Sequence, residues 1–159
     1  MKYKVNDKID NVDVYIINEN GPEKVKFLNL IEDKKVLLIG VPGAFTPTCS
    51  EQHLPGYVKL LDDFVSKGIQ KIIFISVNDP FVLEKWLDAN NAKNIDFLSD
   101  YDHNFLEKSG FTIDLSAVGL GMRLSRFAMV IDNSVITHIF DENGAGLLNS
   151  KAEKVISEL

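Results

Sequence analysis

Cysteine is almost missing from this chain. Cys49 is the only one in 159 residues, so no intramolecular disulfide can form, and the chain is not a small secreted scaffold held by bridges. Arginine is scarce as well: fifteen lysines stand against two arginines, Arg123 and Arg126, three positions apart. No apolar run approaches the roughly 18 residues that a spanning helix needs, so no membrane association is expected. Positive charge is in deficit, with a formal net charge of −6. That balance argues against a nucleic-acid-binding surface and against one drawn to anionic lipid. The opening residues, MKYKVNDKIDNVDVY, lack the apolar centre of a secretory signal. A cytoplasmic or organellar location is expected, and secretion is not.

What is present is the composition of an ordinary globular protein, 45% hydrophobic and 25% charged, able to bury a core without staples. No internal repeat, low-complexity tract or Pro/Gly/Ser-rich linker divides it, so residues 1–159 are read as one domain. KVLLIGV (35–41) and KIIFISV (71–77) are short, continuously apolar and β-branched, the pattern of strands covered on both faces. About 30 residues separate them, room for one crossover helix and hence a parallel βαβ unit. That helix is expected to start with Thr46 as N-cap and Pro47 at its first position, and to kink or break at Pro55-Gly56. It should resume with Val58, Leu61 and Val65 on the buried face and stop at Gly68. A second helix follows the second strand, with Asp79 as cap, Pro80 first, and Val82, Leu83, Trp86 and Leu87 inward. Residues 102–110 read as a short helix ended by glycine, RFAMVI (126–131) and VITHIF (135–140) as a hairpin, and SKAEKVISEL as a last helix burying Ala152, Val155, Ile156 and Leu159. This order implies an α/β fold of thioredoxin-like layout, a mixed central sheet with helices on both faces.

The lone cysteine sits in PGAFTPTCS (42–50), directly behind the first buried strand. With Thr46 as N-cap, Cys49 falls in the first helical turn, where unpaired N–H groups and the helix dipole favour an anion. A thiol there can ionise well below the ordinary value of about 8.5, and the thiolate is the reactive form. Open α/β sheets also place their ligands at the ends of parallel strands. A buried cysteine can be a mere small hydrophobe, but first-turn positions after a strand are seldom fully enclosed, so the reactive reading is preferred. Thr46 could cap the amide of Cys49, donate to its sulfur, or orient a substrate oxygen. His53, four residues on, shares the cysteine's helical face. It could bias a thiolate as a cation, although solvent-side packing or a backbone hydrogen bond is the expected role. Zinc is not expected, since Cys49 and His53 would need two more ligands and only His103 and His138 remain, without paired spacing. The segment also lacks the Gly-Lys-Ser/Thr ending of a phosphate loop.

PGAFTPTCSEQHLPG (42–56), SVNDPFV (76–82), Ser99-Asp100 and DLSAVGLGMRLSRFAMVIDN (114–133), in that order, resemble the peroxiredoxins, specifically their peroxiredoxin-5-like (type II) subfamily. The resemblance covers essentially the whole chain. It implies a thiol peroxidase that reduces hydrogen peroxide and organic hydroperoxides without a cofactor. Cys49 would be the peroxidatic nucleophile and Thr46 would hydrogen-bond thiolate and peroxide. Pro42 would shield the sulfur from water, and Arg126 would face it across the pocket. Arg126 opens the first hairpin strand with Ala128 and Val130 on its face, so its head should lie near the helix start. Arg123 would support from behind, bracing Arg126 or a loop carbonyl. Phe45, Phe81 and Trp86 are core or rim candidates, and the subfamily's likeness places Phe45 and Phe81 near a homodimer contact.

Some subfamily members carry a resolving cysteine late in the chain. The corresponding stretch here is GAGLLNS (144–150), with Asn149 at that place. The chain therefore resembles the one-Cys members, and an external thiol must recycle it: glutathione, with or without glutaredoxin, is expected ahead of thioredoxin. The alternative is a redox sensor that uses the same sulfenic acid to signal without rapid turnover.

Overall fold

A computed structural model describes residues 1–159. The apolar runs found in the sequence form the middle of a seven-stranded sheet. Its strands are β1 (Asp13–Asn18), β2 (Gly21–Lys26), β3 (Lys35–Gly40), β4 (Lys71–Ser76), β5 (Asp96–Ser99), β8 (Phe127–Asp132) and β9 (Val135–Asp141). They are ordered β2-β1-β5-β4-β3-β8-β9. β3, β4 and β5 run parallel, whereas β1, β8 and β9 pair antiparallel with their neighbours. β6 (Thr112–Leu115) and β7 (Gly121–Leu124) make a separate two-stranded ribbon. The helices are α1 (Phe27–Ile31), α2 (Leu54–Lys59), α3 (Leu61–Ser66), α4 (Pro80–Ala89), α5 (Asn104–Ser109) and α6 (Ala152–Ser157).

Side chains of a strand alternate between faces, and here both faces are apolar. Leu37, Ile39, Ile72, Phe74, Ala128 and Val130 point into one cluster, shared with Cys49, Tyr57, Phe64, Trp86 and Val155. Val36, Leu38, Ile73, Ile75, Phe127 and Met129 point into the other, with Phe27, Phe105 and Phe111. This is the mixed sheet with helices on both faces that the sequence implied. Gly40 is needed where β3 meets β8: a Cβ there would lie 2.1 Å from the Phe127 ring. The β8–β9 hairpin turns through Asn133 and Ser134, both at positive φ (45° and 71°), as a tight two-residue turn requires.

Two expectations need correction. The segment after β3 does not break at Pro55-Gly56; both lie inside α2, and the break falls at Leu60 (φ −98°, ψ 13°). The distortion sits upstream, as a π-helical turn over Cys49–His53 in which Leu54 N–H reaches the Cys49 carbonyl. A proline has no N–H to give the preceding turn and its ring crowds the carbonyl there, so the widened turn lets Pro55 into the helix. The buried face differs accordingly. Tyr57 and Phe64 are enclosed, Val58 and Leu61 are half-buried, and Val65 is 58% exposed. Elsewhere α4 follows its reading, with Asp79 Oδ1 accepting from Val82 N–H at 3.0 Å and Leu83, Trp86 and Leu87 buried.

Candidate active site

β3 ends at Gly40, and the chain crosses through Pro42–Thr46 to the helical segment that starts at Pro47. Thr46 occupies the N-cap position, its carbonyl accepting from Ser50 N–H at 3.0 Å. Its hydroxyl neither caps the Cys49 amide nor donates to the sulfur; it donates to the Gly43 carbonyl at 2.6 Å, closing the loop on itself and leaving its lone pairs to accept. Two further bonds fix this loop. Ala44 N–H donates to Asn78 Oδ1 at 2.8 Å, an oxygen that also accepts from Ser76 Oγ at 2.7 Å. Arg123 Nη1 donates to the Pro42 carbonyl at 3.1 Å while its Nε donates to the Leu120 carbonyl at 2.7 Å. Of the two roles open to Arg123, the structure has the loop carbonyl. Pro42 is buried, and Phe45 stands outward at positive φ (60°), 57% exposed.

Cys49 is 0% exposed, so a first-turn position proves enclosed after all. It belongs to the first apolar cluster, with residues of β8, α2 and α4 among its members. Arg126, also buried, immediately precedes β8 and lies beside it. Its Nη2 donates to Cys49 Sγ at 3.2 Å, its Nη1 to His53 Nδ1 at 2.9 Å and its Nε to the Ala145 carbonyl at 3.3 Å. Its backbone is tied to the same loop, N–H to the Gly144 carbonyl and C=O from Glu142 N–H. The ion pairs of the molecule all involve lysine, so the guanidinium charge is buried without a carboxylate. A buried charge needs a counter-charge, and the only neighbour among its partners able to become an anion is the sulfur.

His53 is neither solvent-side nor cationic. It is 1% exposed, and its pKa is pushed down to about 3, by burial first and by the Arg126 charge second, with the Ser150 carbonyl opposing. The ring is therefore a neutral bridge. For Nδ1 to accept from Arg126, the proton must sit on Nε2, which donates to the Ser150 carbonyl at 3.0 Å. Tyr57 OH donates to that same carbonyl at 2.6 Å, and burial raises the Tyr57 pKa well above its ordinary value, so it stays a donor. Of the two roles foreseen for His53, the backbone hydrogen bond stands.

Glu142 and Ser150, which sequence reasoning passed over, complete the surroundings together with Trp86 and Asn149. Glu142 Oε1 accepts from Leu148 N–H at 2.8 Å, Ser150 N–H at 2.7 Å and Ser150 Oγ at 2.9 Å. Trp86 is core, and its Nε1 donates to Ser50 Oγ at 2.9 Å, beside the cysteine. Asn149 donates through Nδ2 to the Asp141 carbonyl at 2.9 Å. No short motif marks Glu142 or Ser150; the nearest signal is the glycine-rich stretch between them, which has no regular structure of its own.

The Redoxin family model matches residues 4–156, which sets the class of protein that this sheet and cysteine loop belong to. Putative peroxiredoxin-A of Candida boidinii is 44% identical over 153 residues, 92% of each chain. Reduced Prx3 from Vibrio vulnificus, solved in complex with H2O2, superposes with a TM-score of 0.94 at 38% identity over 98% of both chains. The 1-Cys peroxiredoxin antioxidant protein of Plasmodium falciparum superposes with a TM-score of 0.91 at 33% identity over 96% of both. The chain belongs to the peroxiredoxins, in their peroxiredoxin-5-like subfamily, with a single cysteine. It is thereby a thiol peroxidase of thioredoxin-like fold with an antioxidant role.

Proposed function

We propose that Cys49 is the nucleophile and that an external thiol, glutathione before thioredoxin, returns it to the reduced state. The observation that carries this reading is the buried guanidinium 3.2 Å from the sulfur with no carboxylate to neutralise it. The Cys49 thiolate attacks the terminal oxygen of a hydroperoxide, hydrogen peroxide or organic. An S–O bond forms, the O–O bond breaks, and the departing alkoxide takes a proton and leaves as alcohol or water. Cys49 becomes a sulfenic acid. Arg126 steadies the thiolate before the attack and the developing charge on the oxygens during it. Pro42 keeps water from the sulfur. Arg123 and the Thr46–Gly43 bond hold the loop that carries both.

A thiol then attacks the sulfenic sulfur, water leaves, and a mixed disulfide remains; a second thiol displaces Cys49 from it. The chain has no second cysteine, so neither thiol is its own. Because Cys49 is enclosed, a tripeptide thiol reaches it only once the π-helical turn opens. Such thiols are plentiful in reducing compartments, consistent with a cytoplasmic or organellar site of action. We read residues 1–159 as one catalytic domain and the working unit as a homodimer.

The decisive experiment pairs turnover with mass spectrometry. Cys49→Ser should fold and show no peroxide reduction, since a hydroxyl is a poor nucleophile for peroxide. In the native protein, peroxide plus glutathione should give one glutathione adduct on Cys49, and peroxide alone a sulfinic acid there. Retained activity in Cys49→Ser would end the assignment. Stoichiometric oxidation with no turnover on glutathione, glutaredoxin or thioredoxin would point instead to a sensor.

A further inference from the structure

Arg126 can serve its sulfur only if its planar fork is aimed, and both other contacts of that fork lie on the segment 142–150 or are held by it. Nε donates to the Ala145 carbonyl, and Nη1 donates to a His53 ring whose far nitrogen donates to the Ser150 carbonyl. That segment is mostly exposed and, apart from the Asp141 strand end before it, contains no helix or strand. Tyr57 OH on the Ser150 carbonyl and Asn149 on the Asp141 carbonyl help to hold it. One carboxylate oxygen makes the most bonds to it: Glu142 Oε1 gathers Leu148 N–H, Ser150 N–H and Ser150 Oγ within 2.7–2.9 Å. Hydrogen bonds to an ionised acceptor are roughly twice as strong as neutral ones. Glu142 also anchors the near end, its backbone N–H donating to the Arg126 carbonyl at 3.1 Å.

Taking Cys49 and Arg126 in the roles proposed above, we infer that Glu142 is a positioning residue for peroxide reduction: by anchoring Ser150, whose carbonyl holds the His53 ring, it sets where Arg126 points. The chain of contacts runs Glu142, Ser150, His53, Arg126, Cys49, each link a hydrogen bond with a defined donor. If the Ser150 carbonyl moves away, the Nε2–H loses its acceptor and the ring loses the contact that orients it. Nδ1 then no longer stands fixed in front of Arg126 Nη1. The fork loses its middle support and is free to turn from the sulfur. Outer partners that orient a ligand's ring in this way are worth about 10–100-fold where they have been removed from metal sites.

The test compares Glu142→Ala with Glu142→Gln, which keeps an acceptor oxygen at the same reach. Glu142→Ala should slow oxidation of Cys49 by peroxide about 10–100-fold, and Glu142→Gln should recover most of that loss. Nitrogen NMR of the imidazole separates positioning from general destabilisation. The native protein should show His53 as the Nε2–H tautomer at neutral pH with that N–H hydrogen-bonded, and Glu142→Ala should shift the Nε2 and Nδ1 resonances toward those of weaker hydrogen bonds. Native oxidation rate and unmoved His53 nitrogen resonances in Glu142→Ala would overturn the inference. Should Glu142→Ala not fold, an Nδ1–H or protonated His53 in the native protein would overturn it equally. A native protein that reduces no peroxide would sink the proposed function instead, while the His53 nitrogen resonances would still report whether Glu142 reaches His53.

Discussion

Two arginines three positions apart have separate duties because their guanidinium groups meet different acceptors. Arg123 spans two main-chain carbonyls, of Leu120 and Pro42, and so holds a loop. Arg126 touches the sulfur itself. Arg126→Met removes both a preorganised donor and the adjacent charge, so single-turnover oxidation of Cys49 by peroxide should fall by roughly 10²–10³-fold. Thr46→Val should be similarly damaging, by releasing the loop that positions the helix start. Arg123→Met should cost distinctly less, because Asn78 still holds Ala44. Stopped-flow oxidation rates rank the three, and an Arg123→Met as slow as Arg126→Met would refute the division. At this scale the sequence was legible where a residue type was rare: one cysteine and two arginines announced themselves. Glu142 is one of 23 acidic residues, and its bonds run to positions six and eight further on, a spacing no helix or strand repeats. His53 was visible by position, but its neutrality comes from an enclosure that only the folded chain creates.

Elements were legible in proportion to how evenly they are buried. β3 and β4 lie under helices on both faces, so each holds four consecutive apolar residues behind an opening lysine and the run is unmistakable. The β8–β9 hairpin and the capped α4 carried turn and cap residues that leave few alternatives. The β1–β2 hairpin was missed: β2 (GPEKVK) has no buried residue and β1 has one, so no apolar alternation betrays it. β5 has four residues, too few for a period. The error over the helix after β3 has a different cause. A proline within a helical pattern normally marks its end, and the sequence offers no sign that a π-helical turn five residues wide will absorb the missing N–H beforehand. That turn also rotates the downstream helix relative to an unbroken one. Tyr57 and Phe64 face inward, where continuous 3.6-residue periodicity had selected Val58, Leu61 and Val65.

On the scale of the whole molecule, two large apolar side chains stand in solvent next to the site: Phe45 at 57% exposure and Phe81 at 60%. The Phe45 loop is joined to the segment leading into α4, where Phe81 lies, by the bond from Ala44 N–H to Asn78 Oδ1, and covering the two rings would remove apolar surface from water. Sedimentation at micromolar concentration should therefore give a homodimer, and Phe45→Asp should shift it to monomer; a native protein that stays monomeric would remove the proposal. The buried charge of Arg126 has a further consequence at this scale. Removing one member of a buried pair typically costs about 3–5 kcal/mol, and the partner here is the proposed nucleophile. Thermal unfolding should accordingly place the reduced protein several degrees above both Cys49→Ser and protein methylated on Cys49, with Cys49→Asp recovering part of the loss. In the proposed cycle the sulfur offered to peroxide would then also be the counter-charge that steadies the fold, and a neutral cap on it would loosen the chain around the group that a thiol must reach next.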